Sequence, residues 1–453
     1  MTVFSFKNIV QLWGMVRKII LIAILMVAAT ITSFAQKTKQ ARIIPGAERL
    51  EIYLPMLKGK AVAVFANQTS MVGNTHLVDT LIKSAVNIVK IFGPEHGFRG
   101  VADAGEKVND GKDKATGLPI ISLYGDHKKP TAADLKDVDL VIFDIQDVGV
   151  RFYTYISSLE YLLESCAENN KPLIILDRPN PNGFYVDGPV LDKKFKSFIG
   201  MQEVPIVYGM TVGEYGFMLA KENKINVANI NSIIIRIDNT KASTTITDYA
   251  EKIAKKTKLG NNDSTKKEYP SIYITIITCK NYDHKSKYIL PVMPSPNLKS
   301  MQGIYCYPST CFFEGTVCSE GRGTGNPFQI FGHPTLPKNL YAFTPAPNAG
   351  AKSSKCFGQQ CYGTFISGSN EKILKKLNLK IQLKYFIDAY KMFPGKDTFF
   401  LKNNFINKLA GTDIFQQQIK ENKTEDEIRK TWQPALIKFK AIRKKYLLYK
   451  DFE

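Results

Sequence analysis

Between residues 61 and 177 one pattern recurs: a largely apolar run of strand length that stops abruptly at polar residues. Ala61 to Ala66 stops at Asn67-Gln68-Thr69, and Val86 to Phe92 stops at Gly93-Pro94-Glu95-His96. Val138 to Phe143 stops at Asp144-Ile145-Gln146-Asp147, and Leu173 to Leu176 at Asp177-Arg178-Pro179-Asn180. Strands without polar alternation are buried on both faces, as in a parallel sheet. Crossover helices are predicted over 76–85, from Leu77, Leu81 and Ile82, and over 155–167, from Ile156, Leu159, Leu162 and Leu163. The pattern predicts a doubly wound α/β domain. Ligands of such sheets sit outside the carboxyl ends of the strands, so the polar clusters are expected to converge on one cleft.

A chain of 453 residues exceeds one simple core. The expected division is a sheet domain over 45–225 and a smaller C-terminal domain over 226–453 that adds loops to the cleft. In the latter, 231–237 and 271–278 read as strands, Tyr249 to Lys258 as a helix and Asn261 to Lys267 as a polar loop. Residues 291–350, rich in Pro, Gly and aromatics, read as binding loops. Near the end, Thr424 and Glu427 form a capping box. Ile428, Trp432, Leu436, Phe439 and Ile442 then recur at helical spacing, and Pro434 is expected to kink or divide that helix.

Residues 1–35 read as a signal peptide: Lys7, Arg17 and Lys18, then the apolar run Ile19 to Ala29, then Ser33-Phe34-Ala35 as a small-x-small cleavage site. No cysteine precedes Cys166, which argues against a lipid-anchored N-terminus. The expectation is an exported protein, periplasmic or secreted, with no stable membrane insertion after cleavage. The formal charge of +20 lies on spread lysines and reads as solvated surface, with attraction to an anionic envelope polymer as its functional counterpart. No nucleic-acid module is visible. The seven cysteines are odd in number and few for the length, so they imply no disulfide framework; Cys356 and Cys361 are close enough in sequence to pair if geometry allows. No CxxC pair, HExxH or histidine spacing predicts a metal site, and no GxSxG elbow or phosphate-cradling motif predicts those chemistries. No cofactor is expected.

What remains is carboxylate chemistry on a polar ligand. In Gly93-Pro94-Glu95-His96-Gly97-Phe98-Arg99-Gly100, glycines flank an acid directly after a buried strand, where partial burial suits Glu95 to general-acid work. In the run from Asp144 to Tyr155, Gln146, Asp147 and Tyr153 are candidate contacts, and Arg151 suits a carboxylate. A buried ion-pair network is the competing reading of that run. Arg178 and Asn180 are candidate contacts in a turn. Glu314, Glu320 and Arg322 stand in a glycine-rich loop that can approach a sugar. Paired carboxylates point to glycoside hydrolysis.

Longer strings of residues carry a resemblance. GPEHGFRG, DAG at 103–105, TGLPIISLYG at 116–125, DIQDVGVRFYTYI at 144–156 and DRPNPNG at 177–183 are similar to motifs of the exo-β-N-acetylmuramidases. So are GMTVGE at 209–214, SPN at 295–297, EGT at 314–316, EGRGT at 320–324 and KLAGT at 408–412. The resemblance runs from Gly46 to Tyr449. It implies a Rossmann-like domain plus a smaller α/β domain with the cleft between them, and an enzyme that releases N-acetylmuramic acid from non-reducing ends of peptidoglycan fragments. It implies Glu95 as the catalytic glutamate. Glu320 is the first candidate for its partner, ahead of Asp147 and Glu314. His96, Arg99, Asp144, Gln146, Asp147, Arg151, Tyr153, Arg178, Asn180, Glu314 and Arg322 are expected to bind substrate, muropeptides or a muramic acid–glucosamine disaccharide. Arg151 or Arg322 is expected to read the lactyl carboxylate. The alternatives are a non-catalytic muropeptide-binding envelope protein and a glycosidase for another acidic glycan. Where the family usually has an Arg-His pair before GMT, this chain has Val207-Tyr208.

Overall fold

A computed structural model describes residues 13, 15–23, 41–99, 109–227, 232–238 and 271–453. Most of the expected signal peptide, the motif at 103–105, the helix at 249–258 and the loop at 261–267 lie outside these. Residues 1–42 form a unit of their own, in which 15–23 are helical. No helix among the described residues is long and apolar enough to cross a membrane.

Residues 43–453 form the other unit. Its centre is an eight-stranded sheet built from β1 (Val62–Ala66), β4 (Ile88–Gly93), β5 (Gly111–Lys112), β6 (Pro119–Ser122), β7 (Leu140–Asp144), β8 (Leu173–Leu176), β9 (Ser232–Asp238) and β10 (Ser271–Ile277). The short pair β2 (Met71–Val72) and β3 (Thr75–His76) stands apart from it. The strand order is β5-β6-β4-β1-β7-β8-β10-β9, and every pair is parallel except β5 with β6.

Alternate side chains feed two cores. Ala63, Phe65, Val141, Phe143, Leu173 and Ile175 enter one, while Val62, Val64, Leu140, Ile142, Ile174 and Leu176 enter the other. The second is covered by α1 (Leu50–Leu57) and α2 (Leu77–Lys83), the first by α3 (Tyr155–Glu168) and α4 (Val212–Lys221). Burial on both faces is why these strands read as apolar runs.

The expected boundary at 225 is corrected by this topology. β9 and β10 pair onto β8 and complete the sheet, so the chain after 225 first extends the parallel layer. The α+β part follows: α5 (Met301–Thr310), the antiparallel sheet β11 (Ile330–His333), β13 (Cys361–Phe365) and β12 (Tyr341–Phe343), then α6 (Asn370–Leu377), α7 (Lys384–Met392), α8 (Phe405–Ala410), α9 (Ile414–Lys420) and α10 (Glu425–Arg443). Phe313, Phe386, Trp432 and Phe439 join the same core as β1 and β7.

The capping box opens α10: the Glu427 amide donates to the Thr424 hydroxyl and the Thr424 amide to the Glu427 carboxylate. Pro434 does not divide the helix. Both Pro434 and Lys430, whose carbonyl loses its partner, are exposed, so water satisfies that carbonyl.

On α3, Glu160 is wholly buried and accepts Gln202 Nε2 at 2.6 Å. Burial pushes its carboxyl up to about 7, against the Gln202 hydrogen bond and the charges of Lys196 and Lys224. In the unfolded chain it titrates near about 4.3, so folding takes up a proton between those values. Glu160 therefore favours the folded state most below about pH 4, and that contribution is lost as pH rises through about 7. Urea unfolding of wild type and Glu160→Gln at pH 5 and pH 8 should show the wild type losing ground by on the order of 2 kcal/mol at the higher pH.

Candidate active site

Glu95 leaves the carboxyl end of β4 in a turn closed by the Gly97 amide on the Pro94 carbonyl at 2.9 Å. His96 and Gly97 are both left-handed, φ +68° and +76°. A positive φ is uncommon for a residue with a Cβ, and its occurrence beside a functional group is characteristic of a constrained site. The Glu95 carboxylate accepts the Tyr124 hydroxyl at 2.9 Å and the Thr154 hydroxyl at 3.1 Å. Tyr124 follows β6, and Thr154 is the N-cap of the 14-residue α3. A helix N-terminus favours negative charge, so the acid is placed where the fold supports it.

These groups line a cavity of about 480 Å³. Its far wall comes from the second half of the chain. There Arg322 pairs with Glu314 at 2.8 Å and with Glu320 at 3.0 Å, and Lys355 pairs with Glu320 at 2.8 Å. Lys355 also donates to the carbonyls of Phe313 and Thr316 at 2.6 and 3.0 Å. Burial alone would raise both carboxyls. At Glu320 the charges of Lys355 and Arg322 outweigh it and hold the group at about 2. At Glu314 burial prevails over Arg322 and the carboxyl lies above its usual range. Glu320 is therefore a fixed anion at neutral pH, whereas Glu314 is the more readily protonated of the two.

Of the residues expected in the cleft, Glu95, His96, Tyr153, Glu314, Glu320 and Arg322 line it. The rest do not, and the expected convergence of four polar clusters is corrected: most of those residues form a buried polar layer beneath the cavity. Arg178 grips Asp144 through Nε and Nη2, at 2.5 and 2.8 Å, and donates to the Met71 carbonyl at 3.0 Å. Gln146 donates to the carbonyls of Asp147 and Pro179. Asp147 accepts the Gly149 amide and the Tyr208 hydroxyl, and burial pushes it up to about 6. Asn180 donates to the Met210 carbonyl and accepts the Asn182 amide. Arg99 leaves the cleft for Asp113, 2.8 Å away. Arg151 is 0% exposed and donates to the carbonyls of Pro189, Val204, Leu409 and Ala410 at 2.8–2.9 Å. It is a backbone clamp: carbonyls take both Nη groups, and it does not line the cavity.

Sequence reasoning missed Tyr124, Thr154, Asn297 and Lys355 as lining residues. Tyr124 and Asn297 lie within the strings quoted above. Thr154 has the ordinary reading of a helix cap, and Lys355 sits in an aperiodic loop. Among the described residues no cluster of His, Cys, Asp and Glu could hold a metal ion.

A family model described as exo-β-N-acetylmuramidase NamZ, N-terminal, matches residues 62–302, and its C-terminal counterpart matches 305–449. The chain belongs to this family. It is 31% identical over 471 aligned residues, 99% of each chain, to the peptidoglycan β-N-acetylmuramidase NamZ of Bacillus subtilis (strain 168). It is also similar to two crystal structures of DUF1343 family proteins from Bacteroides fragilis NCTC 9343. One is 42% identical with a TM-score of 0.75, covering 91% of this chain and 100% of that one. The other is 25% identical with a TM-score of 0.68, covering 90% and 99%. The two NamZ segments meet at α5, downstream of the whole parallel sheet. The KLAGT string that pointed to the NamZ family now has a structural account. Leu409 and Ala410 supply two of the carbonyls that hold Arg151, and a Cβ on Gly411 (φ +75°) would stand 2.6 Å from Arg151 Nη2.

Arg151→Met strips four buried carbonyls of their donor. We expect a loss of roughly 3 kcal/mol in urea unfolding, with the ratio of kcat/KM on muramic and glucosamine glycosides unchanged. A changed ratio would return Arg151 to the binding site.

Proposed function

We propose that this chain is an exported exo-β-N-acetylmuramidase that releases N-acetylmuramic acid from the non-reducing end of peptidoglycan fragments, with Glu95 as general acid. One observation carries the reading. The Glu95 carboxylate, oriented by Tyr124 and Thr154, lines the same cavity as the Glu314–Arg322–Glu320–Lys355 array. Glycoside cleavage needs a proton donor at the leaving oxygen and negative charge to match the oxocarbenium-like transition state. Glu95 is assigned the first part. Glu320 is assigned the second, because its two cations keep it ionised across the working range. Asp147 is withdrawn from this role, since it does not line the cavity; its Oδ2 accepts the Tyr208 hydroxyl and the Gly149 amide.

The assigned substrate differs from an N-acetylglucosamine glycoside by a lactyl carboxylate, and Arg322 is its proposed reader. Its Nη groups serve Glu314 and Glu320, while Nε is buried without a hydrogen-bond partner among the described residues. An unpartnered buried donor in a cleft wall has a strong preference for an anionic acceptor. The signal-peptide pattern of residues 1–35 supports an envelope location, where such fragments occur.

The test is turnover of a muramic acid–glucosamine disaccharide by the purified protein. Release of free muramic acid is the expected result. Binding without release would make it a muropeptide-binding protein, and preference for a uronic acid would move it to another acidic glycan. Glu95→Gln should lower kcat by on the order of 10²–10⁴ on a substrate with a poor leaving group. Wild-type kcat in the folded variant would overturn the assignment. Arg322→Met should erase roughly 10- to 150-fold of the preference for muramic over glucosamine glycosides. Equal losses on both would show that Arg322 only anchors Glu314 and Glu320.

A further inference from the structure

Three cysteines meet behind the cleft wall that carries Lys355. Cys356 follows Lys355 directly, Cys361 opens β13, and Cys318 lies two residues before Glu320. The chain from 356 to 361 is a tight turn. The Gln359 amide donates to the Cys356 carbonyl at 3.0 Å and the Gly358 amide to the Pro345 carbonyl at 2.9 Å. Cys356 holds a left-handed φ of +56°. Cys361 forms a buried cluster with Ile330 and Phe343, and Cys356 packs against that cluster; the Cys356 thiol donates to the Val317 carbonyl at 3.8 Å and the Cys361 thiol to the Gln359 carbonyl at 3.6 Å. Cys361 and Cys318 are buried, and Cys356 is half-buried.

We propose that Cys356 and Cys361 are an intrachain disulfide site, oxidised by exchange with a disulfide oxidant, and that the crosslink fixes the turn that holds Lys355 against Glu320. The chemistry is a balanced exchange. Cys356, the more accessible sulfur, attacks one sulfur of the oxidant as a thiolate and expels the other as a thiolate. Cys361 then loses its proton, attacks the Cys356 sulfur and expels the second thiolate. The chain loses two electrons and two protons, and the oxidant's disulfide becomes two thiols. Contact with Cys361, then the Lys355 charge, lowers the Cys356 thiol against the pull of burial, which favours it as the attacking sulfur. Cys318 senses both thiols electrostatically, which makes it the rival partner. The remaining cysteines, Cys166, Cys279, Cys306 and Cys311, are buried, with thiols raised by burial, and do not compete.

The experiment uses the full chain, reduced and then treated with oxidised glutathione. The expected product is a non-reducing peptide map with a Cys356–Cys361 link and no retained glutathione. Thiols titrated after denaturation should fall by two from the seven of the sequence. The melting temperature should rise by about 2 °C on oxidation, the effect of closing a short loop in a chain of this length. Cys356→Ser should abolish both the link and the shift. That position is half-buried and tolerates the change, whereas Cys361→Ser removes a fully buried thiol and serves as the second variant. A Cys356–Cys318 link, a stable glutathione adduct on Cys356, or seven thiols remaining would each overturn the site. A link without any change in melting temperature would overturn the role assigned to the turn. None of these readouts depends on the substrate.

Discussion

Buried charge ties the late chain to the early chain, and the cleft exists because of it. Arg151 collects carbonyls from 189 and 204 on one side and from 409 and 410 on the other. Arg429 of α10 pairs with Asp187 at 3.0 Å, and Arg443 donates to the Gly209 carbonyl while pairing with Asp451 at 2.8 Å. His284 meets Glu214 at 3.0 Å, and the Leu448 amide joins the same carboxylate. Such pairs are poor sources of net stability, because desolvation offsets most of their attraction. Their effect lies in the penalty for misplacing them: a shifted C-terminal segment would leave several charges buried and unpaired. That penalty selects one arrangement of the two halves, and with it the distance across the cavity.

The same burial moves carboxyl groups in opposite directions, depending on what touches them. Asp147 and Asp177 meet hydroxyls and backbone amides, and burial pushes each to about 6. Glu320 is no less enclosed but touches two cations, and it drops to about 2. The layer beneath the cavity thus balances its own charge through pairs such as Arg178 with Asp144. The cavity wall keeps a separate, fixed arrangement of anions and cations. On the other side of the cavity, Glu95 accepts two hydroxyls, those of Tyr124 and Thr154.

The strands were legible because burial on both faces writes itself as apolar runs, and each run ends where the strand does. Glu95 was legible as a cavity residue because a charged residue between turn-forming residues at a strand end has few structural uses. The direction of the remaining polar groups was not. A strand-end Asp points up into a cleft or sideways into a neighbouring strand end; Asp144 took the second course, onto Arg178 beyond β8, while Asp147 met Tyr208 and the Gly149 amide. Arg151 resembled a ligand contact because its acceptors are carbonyls at residues 189–410, and backbone acceptors leave no trace in side-chain pattern. The boundary at 225 misled for a related reason: nothing local distinguishes a strand that starts a new sheet from one that extends an old sheet after a long excursion.

Val207 and Tyr208 show how a departure from the family pattern acts through the buried layer. Both are fully buried, and Val207 exchanges backbone hydrogen bonds with Asp187 at 2.9 and 3.0 Å. Neither lines the cavity, so the tyrosine hydroxyl does not take over a substrate contact. It donates instead to Asp147. An Arg-His pair here would bring positive charge to that carboxylate and hold it ionised. With tyrosine, Asp147 is set by burial against a hydroxyl and backbone amides, and its proton comes off near pH 6. Asp147 lies in the same chain segment as Tyr153 and Thr154, whose side chains do reach the cavity. Tyr208 thus belongs to the buried polar layer, where burial raises the Asp147 carboxyl and the tyrosine hydroxyl works against that rise.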